Sequence, residues 1–450
     1  MINQVPDGVT LVVGLGVSGM AIARHLACED VPFMMADTRV APPGLAAFQA
    51  EFPAVAVYTG ELSALDMRLA REVVISPGVS PLTPGLPSRV VGELALFARR
   101  RQRFPASRLV AITGSNAKST VTTLVGAMAQ AQGIKAAVGG NLGLAALELP
   151  EDADVYILEL SSFQLETTEP LHADVACYLN LSEDHLDRHG DLSGYGRAKQ
   201  RVFEGAHLAI ANRQDPLTHP VLPSMPTAFF TRKAPRSPDE WGLADRDGER
   251  WLMHGEIPLI KAADVVMQGE HNLTNALAAL AIGEAMGWSM ASMCRVLASF
   301  KGLPHRMELI THHKGVAWIN DSKGTNVGAT LAAIDGLRAE CDGQLILLAG
   351  GVGKGADFSP LARALRGCGQ AIVYGRDRAL LEAALAPHVA VQCVDTLAEA
   401  CQAAVACSRS GDVVLLSPAC ASLDQFENFE ARGEAFRQYV TQQEQAHEVE

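Results

Sequence analysis

The stretch LVAITGSNAKST, residues 109–120, decides the fold because it joins a strand, a phosphate-binding turn and a helix. Its apolar first half predicts a strand over Leu109–Thr113, and a helical pattern begins at Lys118. Between them a glycine-led turn enters the helix, where unpaired backbone N–H groups attract anions. The stretch therefore predicts a parallel α/β sheet that carries a phosphate-binding loop.

The side chains of this loop favour phosphate binding, although the formal phosphate-loop pattern is incomplete. Lys118 adds a full positive charge, and the Ser119 hydroxyl suits Mg²⁺. The pattern G-x-x-x-x-G-K-[ST] fails, because Ile112 and Ala117 occupy the positions of its two glycines. We expect Ala117 to reproduce the loop backbone if its φ angle is negative. An ordinary strand–turn–helix with a chance lysine is the alternative at this point.

Strand-like runs alternate with helical stretches along nearly the whole chain, which is typical of parallel sheets with crossover helices. At roughly 150 residues per domain, the chain of 450 residues suggests about three domains. Gly302-Leu303-Pro304 interrupts the pattern, and a helix-like connector surrounds residue 98. We therefore predict domains over residues 1–97, 98–302 and 303–450. Residues 232–260 are interpreted as a polar excursion with one hairpin.

A glycine-rich turn near the start of the chain has the spacing of a dinucleotide fingerprint. Gly14, Gly16 and Gly19 follow a predicted strand and precede a helix, and Asp37 ends the next strand. That context suits NAD, but any pyrophosphate, including that of a UDP-sugar, fits such a turn. A glycine turn required only for close packing is the third alternative, and these residues alone leave all three open.

Ionisable residues follow two further strands of the central series. Glu159 ends an apolar strand, as a magnesium-binding carboxylate does beside a phosphate loop. His185 follows the next strand, and Lys199 lies in a helical stretch. An isolated His or Lys is typical of a solvated surface, but several ionisable residues at one edge of one sheet favour a site.

The region after residue 302 carries charged and glycine-rich turns. Arg306 and Lys323 lie on loops that suit stabilisation of the charge on a transferring phosphoryl group. Gly350–Asp357 and Ser417–Phe426 each follow a predicted strand. As a pair they suit the capture of a small anionic substrate, and plain turns are an equally good interpretation.

Composition excludes several classes of function. The formal net charge is −13 and no Lys/Arg-rich run exists, which disfavours binding to nucleic acid or an anionic membrane. No apolar run approaches the ~18 residues of a membrane span. The nine cysteines include no C-x-x-C pair, which argues against a disulfide framework or a zinc knuckle. We expect a soluble, cytoplasmic monomer without nucleic-acid or membrane partners.

Taken together, the motifs resemble the Mur ligase superfamily of peptidoglycan synthesis. The matching segments occur in order, span about residues 14 to 433, and are GLGVSG, ISPGV, TGSNAKST, GGNLG, LELSSFQLE, NLSEDHLDRHG, GRAK, HNLTNALAA, GLPHRME, NDSKGTN, GGVGKGADF and SPACASLDQFENFEARG. The resemblance implies an α/β protein of three domains: a Rossmann-like UDP-binding domain, a P-loop-type ATPase domain with a central parallel sheet, and a Rossmann-like C-terminal domain.

The resemblance also implies an activity. It is closest to ligases that join D-glutamate to UDP-N-acetylmuramoyl-L-alanine with ATP, through an acyl-phosphate intermediate. ATP and two Mg²⁺ ions are then expected, and Lys199 matches a lysine that the family carries as an N-carbamate. His185 and the carbamate would bind one Mg²⁺, and Glu159 with Ser119 the other.

The same resemblance implies three sets of site residues. Around ATP it places Gly114, Ser115, Asn116, Ala117, Lys118, Ser119, Thr120, Asn272, Asn275, Arg306 and Asp321. Around the UDP-muramoyl substrate it places Gly16, Val17, Ser18, Asp37, Thr38, Arg39, Gly78, Asn141, Ser161, Gln164 and His185. Around D-glutamate it places Lys323, Thr325, Lys354, Ser422 and Phe429. The reaction itself is assigned to Lys118, Glu159, His185, Lys199, Arg306 and Lys323.

Other functions account for fewer of the motifs. A related ligase for another amino acid, or a folylpolyglutamate synthase, would share the central motifs. The GLGVSG segment argues against folate, and SPACASLDQF favours D-glutamate. An NAD-dependent dehydrogenase would leave GSNAKST, Glu159 and NDSK unused. A non-catalytic nucleotide-binding sensor is the last alternative.

Overall fold

The computed structural model describes residues 4–267, 269–338 and 341–448. Its strands form three sheets in chain order, of five, nine and six strands. This mixed α/β fold with three domains confirms the fold class predicted from the sequence. Within the described residues, no helix combines the length and the apolar composition that crossing a membrane requires.

The first sheet is parallel and has the strand order β3-β2-β1-β4-β5. Leu11 and Val13 point into one hydrophobic core and Val12 into another, so both faces of the sheet are covered. This is why its strands are continuous apolar runs. The elements are β1 (Thr10–Val13), α1 (Val17–Cys28), β2 (Phe33–Asp37), α2 (Leu45–Glu51), β3 (Val57–Thr59), β4 (Glu72–Ile75), β5 (Val91–Gly92) and α3 (Glu93–Arg101).

The middle sheet has the order β14-β13-β12-β11-β10-β9-β6-β8-β7. Its elements are β6 (Arg108–Thr113), α4 (Lys118–Gln130), β7 (Ala136–Gly140), β8 (Val155–Glu159), α5 (Ser162–Glu166), β9 (Val175–Tyr178), α6 (Leu186–His189), α7 (Leu192–Gln200), β10 (Leu208–Asn212), β11 (Thr227–Phe230), β12 (Glu240–Arg246), β13 (Glu249–His254), β14 (Ile257–Lys261), α8 (Glu270–Ala285) and α9 (Met290–Leu297). β6 lies between β8 and β9 in a parallel arrangement, so the loops that follow these three strands emerge at one edge.

The structure corrects the interpretation of residues 232–260 as an excursion with one hairpin. Strands β12, β13 and β14 form an antiparallel meander of two hairpins that extends the middle sheet. Trp241 and Leu243 are buried in this extension, whereas the far end of β12 is exposed. The polar, exposed half of the meander hides the strand pattern in the sequence.

The third sheet has the order β15-β16-β20-β17-β18-β19. Its elements are β15 (Glu308–His313), β16 (Val316–Asn320), α10 (Val327–Leu337), β17 (Leu345–Gly350), α11 (Ser359–Leu365), β18 (Gly369–Tyr374), α12 (Arg378–Leu385), β19 (Val391–Cys393), α13 (Leu397–Cys407), β20 (Val413–Leu416) and α14 (Phe429–Glu448). Strands β15 and β16 pair as an antiparallel hairpin. The parallel strands β16, β20 and β17 are neighbours, so the loops after them emerge together.

The chain divides into two compact units. The first contains residues up to 181, residues 193–264 and residues 274–299, and the second contains residues 182–192, 265–273 and those from 300 onward. Within the first unit, α3 connects the first sheet to the middle sheet. Its Arg100 donates to the carbonyl oxygen of Leu147 at 2.7 Å, and Arg99 pairs with Glu72 and Glu169. The boundary predicted at residues 97 and 98 falls within this helix.

Candidate functional site

The phosphate loop is held by the strand on one side and by Asn180 on the other. Asn180 follows β9; its carbonyl oxygen accepts from the Ser115 N–H at 2.9 Å and its side-chain oxygen from the Asn116 N–H at 2.8 Å. Thr113 Oγ1 donates to the carbonyl oxygen of Leu160 at 2.8 Å. Asn180 is absent from the residues predicted for the site, although its place at a strand end beside the loop is a signal that identifies it.

Ala117 has a φ of +63° and caps the start of α4. The negative φ under which alanine was expected to reproduce the loop backbone is therefore not observed. At this position the backbone adopts the left-handed geometry that glycine normally supplies. This geometry directs the N–H groups of the loop along the helix. An alanine in that geometry costs about 1–2 kcal/mol. The loop thus keeps the shape of a phosphate loop under local backbone strain.

Two lysine side chains converge on this loop. Lys118 Nζ lies 2.9 Å from the carbonyl oxygen of Gly114, and Lys199 Nζ lies 2.8 Å from the same oxygen. Lys199 is 1% exposed, and its ammonium group lies 4.6 Å from the centre of the Tyr195 ring. Two positive charges on one carbonyl oxygen make the loop a strong attractor for phosphate. Ser119 and Thr120 are buried at the start of α4.

Glu159 ends β8 beside the phosphate loop and is 3% exposed. Asn141 donates its side-chain N–H to Glu159 Oε1 at 2.7 Å, and its backbone N–H binds the Glu159 carbonyl oxygen at 2.8 Å. A side chain at Gly140 would approach that carbonyl oxygen to 2.4 Å, so the two strands meet closely here. Sequence motifs 18 residues apart are thereby joined into one cluster.

Ser161 and Gln164 form a capping box at the start of α5. The Ser161 side chain accepts from the Gln164 N–H, and the Gln164 side chain accepts from the Ser161 N–H at 3.0 Å. Both residues lie directly after Glu159, where the sequence predicts the substrate site. Their mutual hydrogen bonds fix the turn and hold the Glu159 end of the strand in place.

The residues predicted to hold metal are divided between the two units. Ser119, Glu159 and Lys199 belong to the first unit, and His185 belongs to the second. Within the described residues, no group of three His, Cys, Asp or Glu side chains forms a metal cluster. The oxygens of Ser119 and Glu159 are the ligand type that Mg²⁺ prefers, and such sites are completed by phosphate oxygens. The residues present therefore fit a magnesium ion that binds with a phosphate substrate.

The glycine-rich turn after β1 has the close packing of a pyrophosphate-binding turn. A side chain at Gly19 would approach the Gly14 carbonyl oxygen to 1.8 Å, so α1 can pack there only with glycine. At Gly16 and Gly78 nothing lies within 4 Å, which leaves open space in front of the turn. Val17 is 75% exposed at the first position of α1, followed by Ser18.

Asp37 is buried below this turn and is fully engaged. Its carboxylate accepts from the Leu15 N–H at 2.8 Å and from two nitrogens of the Arg39 guanidinium at 2.8 Å each. Burial raises the pKa of Asp37, but the hydrogen bonds from Arg39 and Leu15 outweigh it and hold the pKa below its usual value. Asp37 therefore fixes the turn and Arg39, while Thr38 and Arg39 lie exposed at the end of β2.

In the second unit, Asp184 gathers three residues of different motifs. Its carboxylate lies 3.7 Å from His185 Nε2 and 3.7 Å from Lys354 Nζ, and it accepts from the Asn326 side chain at 3.3 Å. Asn326 also caps the start of α10. The structure thus brings the predicted His185 and Lys354 together through Asp184, a carboxylate that the predicted site did not include.

Asp321 follows β16 and is buried, although the sequence predicts it to contact ATP. It accepts from Ser417 Oγ at 2.7 Å and from the Met307 N–H at 3.3 Å. Burial raises the pKa of Asp321 to about 7, and the Ser417 hydrogen bond with nearby Arg306 opposes that rise. Ser417 begins the SPACASLDQF motif but is not among the predicted site residues.

Lys323 and Phe429 of the predicted D-glutamate set are in contact. Lys323 Nζ lies 3.9 Å from the centre of the Phe429 ring, a cation–π distance. Ser322 Oγ, next to Lys323, donates to the Phe429 carbonyl oxygen at 2.8 Å. Thr325 follows on the same loop, and Ser422 is buried in the loop after β20.

Arg432 is a fully buried arginine that the predicted site did not include. Its guanidinium donates to the carbonyl oxygens of Ser322 at 2.8 Å, Cys420 at 3.1 Å and Gly350 at 3.4 Å. Ser322 and Cys420 lie on the loops after β16 and β20, and Gly350 is the last residue of β17. Arg432 therefore ties together the loops that carry the predicted D-glutamate residues.

Arg306 lies between two residues with left-handed backbones, His305 with a φ of +60° and Met307 with a φ of +50°. Burial lowers the pKa of His305. The side-chain amide of Asn320 donates to His305 Nδ1 at 2.9 Å. The loop that carries Arg306 is thus fixed by its neighbours. Asn272 and Asn275 lie one turn apart in α8.

Together, the parallel sheets, the phosphate loop and the cations define an α/β enzyme of the nucleotide-binding class. Residues 8–91 match the MurD-like N-terminal domain of Mur ligases, residues 112–283 the Mur ligase middle domain, and residues 305–420 the glutamate ligase domain of Mur ligases. The chain belongs to the Mur ligase family, as its motifs predict.

Full-length relatives are similar to this chain. It is 58% identical to a UDP-N-acetylmuramoylalanine--D-glutamate ligase of Chromohalobacter salexigens, over 97% of this chain and 98% of that one. It is 48% identical to the ligase of the same name from Pseudomonas aeruginosa, over 96% and 98% of the two chains. Its fold is similar to that of a MurF ligase from Thermotoga maritima solved with ADP, with a TM-score of 0.63 and 17% identity over 98% and 100% of the chains.

Proposed function

We propose that this chain is an ATP-dependent ligase that joins D-glutamate to UDP-N-acetylmuramoyl-L-alanine through an amide bond, in the synthesis of peptidoglycan precursors. The observation that carries the proposal is the convergence of Lys118 and Lys199 on a phosphate loop beside the Glu159 carboxylate. The names of the full-length relatives support the choice of substrates.

The reaction has two steps. The carboxylate of the muramoyl-alanine substrate attacks the γ-phosphorus of ATP, the bond to the bridging oxygen breaks, and ADP leaves. The amine of D-glutamate then attacks the acyl carbon, an amide bond forms, and inorganic phosphate leaves while a base takes the amine proton. The first step brings anions together, so fixed positive charge at the γ-phosphate is its main requirement.

Lys118 and the loop N–H groups meet this requirement in the first unit. The loop is clamped by Asn180, so its N–H groups are aimed before the phosphate arrives and need no rearrangement. Lys118 releases two carbonyl oxygens of the loop, those of Gly114 and Ser115, when it turns to the phosphate. Arg306 and Lys323 are further cations that the motifs assign to the reaction.

Lys199 suits conversion to an N-carbamate. Its nitrogen is buried and shares the Gly114 carbonyl oxygen with the ammonium group of Lys118. A buried ammonium beside a like charge is unfavourable, and a carbamate at this position would instead attract Lys118. Glu159, Ser119, the carbamate and His185 are the groups that would hold two Mg²⁺ ions. Bound Mg²⁺ would neutralise phosphate charge and polarise the γ-phosphoryl group.

The second unit supplies groups that match an acidic amino acid. Lys323 and Lys354 suit its two carboxylates. The hydroxyl groups of Thr325 and Ser422 offer further donors, and the Phe429 ring packs against the Lys323 ammonium group. We assign the amine proton to a local base, which is either His185 or the Lys199 carbamate.

The first sheet is assigned to the UDP part of the substrate. The open space at Gly16 and Gly78 suits a pyrophosphate at the start of α1. In a dinucleotide site the strand-end acid binds the ribose, but Asp37 is engaged with Arg39 and Leu15. This arrangement favours UDP over NAD and makes a dehydrogenase the weaker candidate.

The test is to incubate the protein with ATP, Mg²⁺ and UDP-N-acetylmuramoyl-L-alanine, and to compare D-glutamate, L-alanine and diaminopimelate. Phosphate release that requires D-glutamate is the expected result. Release with another amino acid would assign a different ligase, and a change in NADH absorbance in a parallel sample would favour the dehydrogenase.

We also propose that the protein acts as a monomer in the cytoplasm, the compartment that supplies ATP and the nucleotide-linked substrate. All nine cysteines have free thiols, as a reducing compartment maintains them. Light scattering during size-exclusion chromatography tests the monomer. A mass near 95 kDa, on the order of twice that of one chain, would contradict it.

A further inference from the structure

Ser417 and Thr330 form a buried pair of hydroxyl groups behind Asp321. Ser417 Oγ lies 2.7 Å from Asp321 Oδ2 and 3.1 Å from Thr330 Oγ1. Thr330 Oγ1 in turn donates to the carbonyl oxygen of Ser417 at 3.2 Å. Ser417 and Thr330 are fully buried, and Asp321 is 7% exposed. Neither Ser417 nor Thr330 is among the residues that the motifs assign to ATP.

The packing around Ser417 and Thr330 restricts the Asp321 carboxylate to one orientation. A side chain at Gly324 would approach Ser417 Oγ to 2.4 Å and Asp321 Oδ2 to 2.6 Å, so glycine is required there. Because Thr330 donates its proton to the backbone, the single proton of Ser417 is available for Asp321. The hydroxyl therefore orients one carboxylate oxygen and leaves the other directed towards the Met307 N–H.

We propose that Ser417, supported by Thr330, is a positioning residue for nucleotide binding: its hydroxyl holds Asp321 in the orientation and in the ionised form that accept hydrogen bonds from the nucleotide. This inference rests on the proposed function, in which Asp321 contacts ATP. A ribose offers two hydroxyl donors, and an ionised carboxylate is an acceptor only, whereas a protonated one spends an oxygen on its own proton.

The charges around Asp321 give the expected direction of the pH dependence. Burial raises its pKa to about 7, and the hydrogen bonds from Ser417 and Met307 and the charges of Arg306 and Arg432 oppose the rise. Removing the Ser417 hydroxyl removes the largest of these opposing contributions. The pKa of Asp321 then rises further, so the ionised form is lost at a higher pH.

The experiment measures binding of a non-hydrolysable ATP analogue to the full chain by calorimetry between pH 6 and pH 9. For Ser417→Ala we expect the pH midpoint of binding to rise by about one unit. Affinity should fall about fivefold to tenfold at pH 7 and should match the wild type at pH 9. Ser408→Ala, which removes a hydroxyl near the surface of the same unit, is the matched control and should not move the midpoint.

Asp321→Asn separates this effect from a general loss of structure. Asparagine does not titrate, so the midpoint should disappear, and adding Ser417→Ala to Asp321→Asn should have no further effect on pH dependence. If Ser417→Ala does not fold, Ser417→Cys keeps the volume with a weaker donor and should shift the midpoint less, in the same direction.

The outcomes for the two proposals are distinct. An unchanged midpoint in folded Ser417→Ala contradicts the assignment of Ser417, while ligation by the wild type still supports the proposed function. Nucleotide binding without amide formation in the wild type contradicts the proposed function and leaves the midpoint as the test of Ser417. A wild type that binds no nucleotide contradicts both.

Discussion

The two lysines at the phosphate loop have different surroundings. Lys118 spans from α4 to the Gly114 and Ser115 carbonyl oxygens and is part-buried, so it can turn to a ligand. Lys199 is buried against Tyr195 and has little room to move. The mobile lysine suits the transferring phosphate, and the fixed lysine suits a permanent part of the site.

Replacing Lys118 tests the first of these assignments. Lys118→Ala removes a positive charge that contacts the loop, and we expect kcat to fall on the order of 10³-fold, as when a major transition-state donor is lost. Steady-state phosphate release measures the change. Lys135→Ala is the matched control, since Lys135 is an exposed lysine paired with Asp152, and it should change kcat less than about twofold. Near-normal turnover of Lys118→Ala would contradict the assignment of the loop.

The backbone of Ala117 makes a separate prediction about stability. Ala117→Gly relieves a left-handed alanine, so the free energy of unfolding should rise by about 0.5–1 kcal/mol. Ala131→Gly, at a helical φ of −67° at the other end of α4, should lower it by a similar amount. Urea unfolding midpoints measure both. Equal signs for the two variants would show that Ala117 is not strained.

At the scale of elements, the third sheet positions its loops through one buried side chain. The carbonyl oxygens of Ser322 and Cys420 on two loops and of Gly350 at the end of β17 all accept from Arg432. No carboxylate pairs with this guanidinium in the part of the chain that the structure describes. A buried cation with backbone partners favours the binding of an anion nearby, which matches a dicarboxylate substrate.

Arg432→Met should therefore act on one substrate. Without the guanidinium the three carbonyl oxygens lose their donor and the loops lose their common anchor. We expect the KM for D-glutamate to rise at least about tenfold, while the KM for ATP changes less than about threefold. Arg432→Lys, which keeps the charge without the forked geometry, should lie between. Arg363→Met, at an exposed position of α11, is the control, and equal increases in both KM values would contradict the assignment.

At the scale of the whole molecule, the sequence predicts elements more reliably than contacts. The predicted strand Leu109–Thr113 is observed as β6, which begins one residue earlier, because buried parallel strands are continuous apolar runs. Strand ends also located Glu159 and the phosphate loop. The meander β12–β14 escaped prediction because its exposed half is polar.

The remaining site residues depend on contacts that periodicity does not encode. Asn180 clamps a loop 64 positions away, and Arg432 reaches Ser322 across 110 positions. Ala117 shows a different limit, since its left-handed φ follows from the shape of the loop and not from the preference of alanine. A single sequence therefore does not reveal the side chains that position other site residues through contacts between distant parts of the chain.

The acidic chain as a whole repels its anionic substrates, so catalysis depends on the local cations. The formal net charge is −13, yet Lys118 begins α4 directly after the phosphate loop, and Arg306 and Lys323 lie in loops before β15 and after β16. Attraction of substrate is therefore expected near these loops and not from the overall field. The transfer of phosphate to the substrate carboxylate is therefore the step that depends most on these cations.

The most direct test of phosphate transfer to the carboxylate follows an oxygen atom. UDP-N-acetylmuramoyl-L-alanine labelled with ¹⁸O in its carboxylate is turned over with ATP and D-glutamate, and the phosphate released is analysed by mass spectrometry. If the carboxylate attacks the γ-phosphorus, each phosphate released carries one ¹⁸O atom and the amide keeps the other. Unlabelled phosphate would contradict the account, because the carboxylate would then never have been phosphorylated.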